Sequence, residues 1–165
     1  MYNIVLVGFM GTGKTVVGRA LADDLNQQFL ELDEEIEKRE EMPIADIFEK
    51  KGEAYFRKLE KGLVKEASQE KGVVISAGGG AIIDDENLKN LKRNSKIICL
   101  KASPLVILKR IKDVKTRPLL NVVDPKKKIE ELLKKREPYY KKADYSIDTD
   151  SLTVIEVVEK IKGLV

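Results

Sequence analysis

Four short runs of β-branched and other apolar residues stand out along the chain: NIVLV (3–7), VVIS (73–76), KIICLK (96–101) and YSID (145–148). FLEL (29–32) is a weaker fifth. The stretches between them are longer and amphipathic, with apolar residues at helical spacing, as for Ile129, Leu132 and Leu133 in KKIEELLKKREPYY. Apolar strands alternating with helices predict a parallel sheet covered on both faces, an α/β fold of three layers. No repeat, low-complexity tract or linker interrupts the pattern, so residues 1–165 are expected to form a single domain.

Two segments fit the alternation less well. Residues 34–71 carry two or three helical patterns in succession with no strand between them, punctuated by Pro43 and Gly52. They read as an insertion standing over one end of the sheet. Residues 112–124, KDVKTRPLLNVVD, pass from charged to apolar just before Pro125, the composition of a loop that folds over a ligand.

Composition narrows the chemistry. Hydrophobic residues make up 42% and charged residues 36%, a globular balance. The opening MYNIVLVGFMG is apolar for too few residues to read as a signal peptide or a spanning helix, so the cytoplasm is the expected compartment, with no membrane partner. With 31 basic and 28 acidic residues the charge is too nearly balanced to suggest nucleic acid. Cys99, the single cysteine, lies in an apolar strand and reads as a small buried hydrophobe. The chain has no histidine, which removes His-dependent triads, His-ligated zinc and an imidazole base together. Abundant Lys and Glu hint at heat tolerance.

Against that background, GFMGTGKT (8–15) carries a definite meaning. It matches G-x-x-x-x-G-K-[ST], follows a strand and precedes the helical run VVGRALADDL, as a phosphate loop must. Gly8, Gly11 and Gly13 let the backbone turn its N–H groups onto phosphate oxygens, and the helix N-terminus adds partial positive charge. Lys14 can reach the β- and γ-phosphates, and the Thr15 hydroxyl can ligate Mg2+. ATP or GTP is the implied ligand, with Gly11, Thr12, Gly13 and Val16 completing its binding stretch.

A Ras-type GTPase would also need N-K-x-D and D-x-x-G, and neither is present. Instead VVIS runs into AGGGA, where Gly78, Gly79 and Gly80 bring bare backbone to the edge at which open α/β folds bind ligands; a tight strand exit is the plainer alternative. Arg57, Arg117 and Arg136 each read singly as solvated surface charges. Beside a phosphate loop they suggest neutralisation of a transferring phosphoryl group and capture of an anionic substrate.

The stretches GFMGTGKT, IADIFEKKGEAYFRKLE, ISAGGGA, RPLL and REPYY, in this order and spacing, resemble the shikimate kinases over residues 3–148. The resemblance implies a P-loop kinase fold like that of the nucleoside monophosphate kinases: a five-stranded parallel sheet, a helical substrate-binding insertion at about 33–61 and a lid at about 112–124. It implies transfer of the γ-phosphate of ATP, with Mg2+ as cofactor, to the 3-hydroxyl of shikimate on the path to the aromatic amino acids. By matching positions, Arg57 and Arg136 are implied to clamp the shikimate carboxylate, and Gly78, Gly79 and Gly80 to present backbone to its hydroxyls. Arg117 is implied to close on the phosphates opposite Lys14, and Arg110, at the start of the lid, to stack on adenine. A monomer is the family-level expectation. The alternatives are another small-molecule kinase, acting on a sugar acid or a nucleotide, and a non-catalytic nucleotide-binding regulator of the same fold.

FLELDEEI (29–36) is read as a strand in which Glu31 and Asp33 face one way while Leu30 and Leu32 turn into the core. The resemblance makes Asp33 the acid that bonds the acceptor hydroxyl and serves as general base. Glu31 departs from the family's usual aspartate, and it is expected near the metal, with a water between.

Overall fold

Strands apolar along their whole length need cover on both faces, and the computed structural model, which describes residues 1–111 and 117–165, supplies it with two helical layers. The strands are β1 (Asn3–Val7), β2 (Gln28–Glu31), β3 (Val73–Ser76), β4 (Ser95–Lys101) and β5 (Tyr145–Asp148). All pairs are parallel, in the order β2-β3-β1-β4-β5. All five runs form strands within one residue of the expected bounds.

Alternation along the strands sorts residues between two cores. Ile4 and Leu6 of β1 join Ile98 and Leu100 of β4 on one face. There they meet Val17 and Leu21 of α1 (Lys14–Leu25) and Val157, Val158 and Ile161 of α8 (Val154–Lys162). Val5, Val7, Ile97 and Cys99 point the other way, into a larger core closed by α4 (Glu53–Ala67), α5 (Asp85–Lys92), α6 (Pro104–Arg110) and α7 (Pro125–Tyr140). Each such side chain, fully buried, contributes roughly 1.5–3 kcal/mol. Burial pushes the Cys99 thiol up to about 11, so it stays a neutral packing group.

The stretch between β2 and β3 resolves into three helices, α2 (Leu32–Glu40), α3 (Ile44–Lys51) and α4. Glu41 ends α2 in the left-handed region with φ 54°, and Gly52, with φ 85°, makes the corner between α3 and α4. The last turns of α4 bury Leu63, Val64 and Ala67 in the sheet core, so this helix is both part of the excursion and the crossover that returns the chain to β3.

One boundary differs from the reading of FLELDEEI. The strand stops at Glu31, and Leu32 and Asp33 open α2. Three acids in that first turn, Asp33, Glu34 and Glu35, complement the positive helix N-terminus and draw the helix start forward. Strand alternation therefore does not align Glu31 with Asp33. Leu32 is buried while Leu30 is only partly so.

Of the expected lid at 112–124, residues 112–116 lie outside the described residues. Its remainder contains a 3₁₀ turn, Pro118–Leu120, whose Leu120 is buried in the larger core. Phosphate loop, carboxylates and triple glycine all lie at the C-terminal ends of β1, β2 and β3, beside the switch in strand order.

Candidate active site

The phosphate loop leaves β1 through Gly8, at φ 137°, where a Cβ would collide with the Leu100 carbonyl of the neighbouring strand. Gly13 caps α1 with φ 95°. Both conformations favour glycine, which is why the motif tolerates nothing larger there. Inside the loop Thr12 is buried and donates to the Phe9 carbonyl at 2.7 Å. Lys14 Nζ donates to the carbonyls of Gly8 and Phe9, each at 2.9 Å. Burial lowers the ammonium of Lys14 to about 8, against the upward pull of Glu31 and Asp33. The loop lines a cavity of about 420 Å³ together with Val16, Glu31, Asp33, Arg110 and Arg117.

The two carboxylates differ in how they are held. Thr15 Oγ1 donates to Glu31 Oε2 at 2.6 Å, tying the helix start to the end of β2. Burial raises the Glu31 carboxyl, and the Thr15 hydrogen bond opposes it. Asp33 is buried at its Oδ1, and that oxygen has no hydrogen-bond partner. Burial raises its carboxyl too, opposed by Lys14, Arg117 and Arg57. A buried acceptor left bare costs about 1–3 kcal/mol unless something else fills its valence, which marks Asp33 as a group awaiting a donor.

The triple glycine explains how so many charges fit together. A Cβ on Gly78 would sit 2.9 Å from Asp33 Oδ1 and 3.0 Å from Glu60 Oε2. One on Gly79 would sit 3.1 Å from Arg136 Nη1, and one on Gly80 only 2.6 Å from Arg57 Nη2. Each glycine thus makes room for a different charged side chain, so the tight-exit reading understates them. Beyond them opens a second cavity of about 690 Å³, lined by Arg57, Glu60, Gly80, Arg136 and Tyr139. Gly78 and Gly79 line the first cavity and Gly80 the second, so the glycine turn is the sill between them.

Arg57, on α4, donates to Glu60 at 2.9 and 3.1 Å and reaches Glu53 at 3.3 Å. Burial pushes Glu60 up to about 7, opposed by Arg57. Arg136, on α7, is 5% exposed; its guanidinium lies 5.3 Å from the centre of the Phe9 ring, and its buried Nη1 has no partner. One turn later Tyr140 donates to the Gly79 carbonyl at 2.6 Å, fixing the sill from below. Two guanidinium groups converging on an open cavity suit a carboxylate.

Arg110 ends α6 and lines the first cavity, where both its terminal nitrogens donate to Thr149 at 2.9 Å. Arg117 is exposed, lines the same cavity, and exerts its charge on Lys14 and Asp33. Every ligand-binding or catalytic candidate read from Gly11 to Arg136 therefore lines one of the two cavities, Thr12 included although its hydroxyl turns inward to the Phe9 carbonyl. Sequence reasoning missed Tyr140 and Thr149. Tyr140 follows Arg136 by four residues, a same-face spacing that could have found it. Nothing in the sequence marks Thr149.

A family model described as shikimate kinase matches residues 10–164. The chain is 52% identical to the shikimate kinase of Caldanaerobacter subterraneus subsp. tengcongensis over 161 residues, covering 98% of this chain and 94% of that one. It is 51% identical to the shikimate kinase of Thermodesulfovibrio yellowstonii over 161 residues, 98% and 93% of the two chains. A solved structure of shikimate kinase from Acinetobacter baumannii in complex with shikimate superposes with a TM-score of 0.96 at 41% identity, covering 99% of this chain and 92% of the other.

Proposed function

The chain belongs to the shikimate kinase family and transfers the γ-phosphate of ATP to the 3-hydroxyl of shikimate; from this premise we propose how its residues divide the work. The observation that carries the proposal is Asp33, whose unpartnered buried oxygen stands at the sill between a cavity lined by the phosphate loop and an arginine-lined one. Asp33 accepts the proton of the attacking 3-hydroxyl, directed by the hydrogen bond it lacks in the free protein. Arg57 and Arg136 clamp the shikimate carboxylate, with Glu60 holding Arg57 in place. The backbone of Gly78, Gly79 and Gly80 lies against the substrate's hydroxyls, where side chains would intrude.

Gly11, Thr12, Gly13, Lys14, Thr15 and Val16 wrap the ATP phosphates. Lys14 exchanges its two carbonyl acceptors for phosphate oxygens, and Arg117 neutralises the transferring group from the opposite side. Arg110 walls the adenine end. Positioning and charge neutralisation supply most of the catalysis, since the loose transition state demands little covalent work from the protein.

The site fits Mg2+. The Thr15 oxygen keeps its lone pairs while its hydrogen goes to Glu31, and hydroxyl and carboxylate are the hard oxygen donors that this ion takes alongside phosphates. Thr15 would bind it directly and Glu31 through water. Bound there, the ion would supply charge neutralisation for the ATP phosphates. We extend the proposal to a cytoplasmic monomer; no helix among the described residues is long and apolar enough to cross a membrane.

The test is ADP release from MgATP in a coupled assay, with shikimate, gluconate and nucleoside monophosphates as acceptors in turn. Turnover is expected with shikimate alone. Comparable turnover with gluconate would favour the sugar-acid kinase reading, and none with any acceptor would favour the regulator.

A further inference from the structure

We propose that Thr149 is a positioning residue for Arg110, holding the guanidinium that walls the base end of the nucleotide cavity. The inference rests on the reading above that this end receives the base. Arg110 is exposed on the last turn of a seven-residue helix, where a long side chain has many rotamers open to it. Its two terminal nitrogens are nevertheless both engaged by one residue: Nη1 donates to Thr149 Oγ1 and Nη2 to the Thr149 carbonyl, each at 2.9 Å. A weaker contact of 3.4 Å runs from Nη1 to the Gly11 carbonyl of the phosphate loop. Two bonds from a planar fork to two oxygens of one residue fix the plane of the guanidinium as well as its place.

Thr149 can act as this anchor because it is itself immobilised. It is 2% exposed, it follows β5, and both its amide and its hydroxyl donate to the carbonyl of Lys101 at the end of β4, at 2.8 and 2.9 Å. The hydroxyl gives its hydrogen to Lys101 and offers its lone pair to Arg110, so donor and acceptor capacities are both used. The order of the sheet is in this way passed from β4 and β5 to a side chain on the ligand. Leu152 and Val154 line the same cavity, aliphatic groups of the kind that pack on a flat ring.

Thr149→Val removes the hydroxyl and keeps the shape. Lys101 still receives the amide of residue 149, so no buried carbonyl is stranded and the fold should hold. Steady-state kinetics and calorimetric titration with ADP would be run on Thr149→Val, Thr149→Ser and Arg110→Ala. For Thr149→Val we expect the KM for ATP and the Kd for ADP to rise about 5–10-fold, the scale of one ordinary hydrogen bond, since the loss acts on the nucleotide only through Arg110. The KM for shikimate should be unchanged, kcat should stay within about twofold, and Thr149→Ser should restore wild-type values.

Wild-type nucleotide affinity in Thr149→Val, with Arg110→Ala weakened tenfold or more, would overturn the inference and leave the base-end reading standing. Wild-type affinity in Arg110→Ala would overturn both. A rise in the KM of both substrates together with a lowered Tm, or failure of Thr149→Ser to rescue, would make Thr149 a scaffold residue and sink the inference as well.

Discussion

In the nucleotide cavity the polar groups bond one another before any ligand arrives: Lys14 holds two loop carbonyls and Thr15 holds Glu31. In and beside the acceptor cavity, buried groups are left short. Asp33 Oδ1 and Arg136 Nη1 have no partner, although both are enclosed by protein. The first half is a contiguous loop that satisfies itself and trades partners when phosphate enters. The second is assembled from α2, α4, the β3 exit and α7, and on the proposed reading it stays incomplete until substrate supplies the missing donor and acceptor. Affinity for nucleotide should accordingly tolerate the loss of one side-chain contact better than acceptor chemistry does.

The sharpest way to break that contrast is Asp33→Asn. The amide keeps the size and removes the negative charge and the basicity. Turnover should fall about a thousandfold, within the range for a positioned general base, while the Kd for ADP changes by less than about threefold. A small loss would mean the 3-hydroxyl gives up its proton elsewhere.

Arg136→Lys should come next. Lysine keeps the charge and loses the planar fork, and its ammonium cannot reproduce both the approach to Gly79 and the stacking on Phe9. The KM for shikimate is expected to rise about 10–100-fold, the worth of one charge-assisted bond, with the KM for ATP unmoved. Equal effects on both substrates would show that the two cavities are not energetically separate.

The same contrast governs what could be read in advance. Residues 8–15 act through backbone geometry that neighbouring residues dictate, so strand, loop and helix were all legible in eight letters. The strands were legible because burial on both faces leaves continuous apolar runs. Asp33, Arg57 and Arg136 came from resemblance to a family, since nothing local distinguishes them from surface charges. That each glycine of 78–80 makes way for a particular charge depends on where α4 and α7 dock, which no single sequence encodes visibly. At FLELDEEI the apolar spacing over four residues suits a strand or a helix equally, and the run of acids ended the strand at Glu31 instead of letting its alternation run on through Asp33. Thr149 was invisible because its role lies in its carbonyl and in a partner 39 residues away.

Burial of charge in the acceptor half should also leave a mark on stability. Glu60, raised from 4.5 to about 7, is protonated more readily in the folded chain than in the unfolded one. Its contribution is therefore complete below about pH 4.5 and is lost as pH rises through about 7. Asp33 and Glu31, also raised, act in the same direction. Lys14, lowered to about 8, acts in a separate window: its contribution is present above about 10.5 and is lost as pH falls through 8. The ligand-free protein should lose on the order of 1–2 kcal/mol between pH 5 and 7.5, a fall in Tm of about 4–6 °C. In Glu60→Gln most of that slope should vanish. An unchanged slope in the variant would place the titration on another group.

The smallest expected effect is Glu31→Asp, and it tests how self-sufficient the nucleotide half is. Glu31 reaches Thr15 at 2.6 Å across the gap between β2 and α1. Removing one methylene withdraws the carboxylate by about 1.5 Å, beyond direct bonding distance unless the backbone follows. In a cavity open to phosphate and water, a water can fill that gap at little cost, so kcat should stay within about threefold. The concentration of Mg2+ giving half-maximal rate should shift by about two- to fivefold, because the distance from carboxylate to the Thr15 oxygen governs how a metal-bound water is held. Titrating Mg2+ at saturating ATP and shikimate measures this directly. A loss approaching that of Asp33→Asn would put Glu31 among the groups that act on the transferring phosphate, and the nucleotide half would then be as intolerant of small changes as the acceptor half.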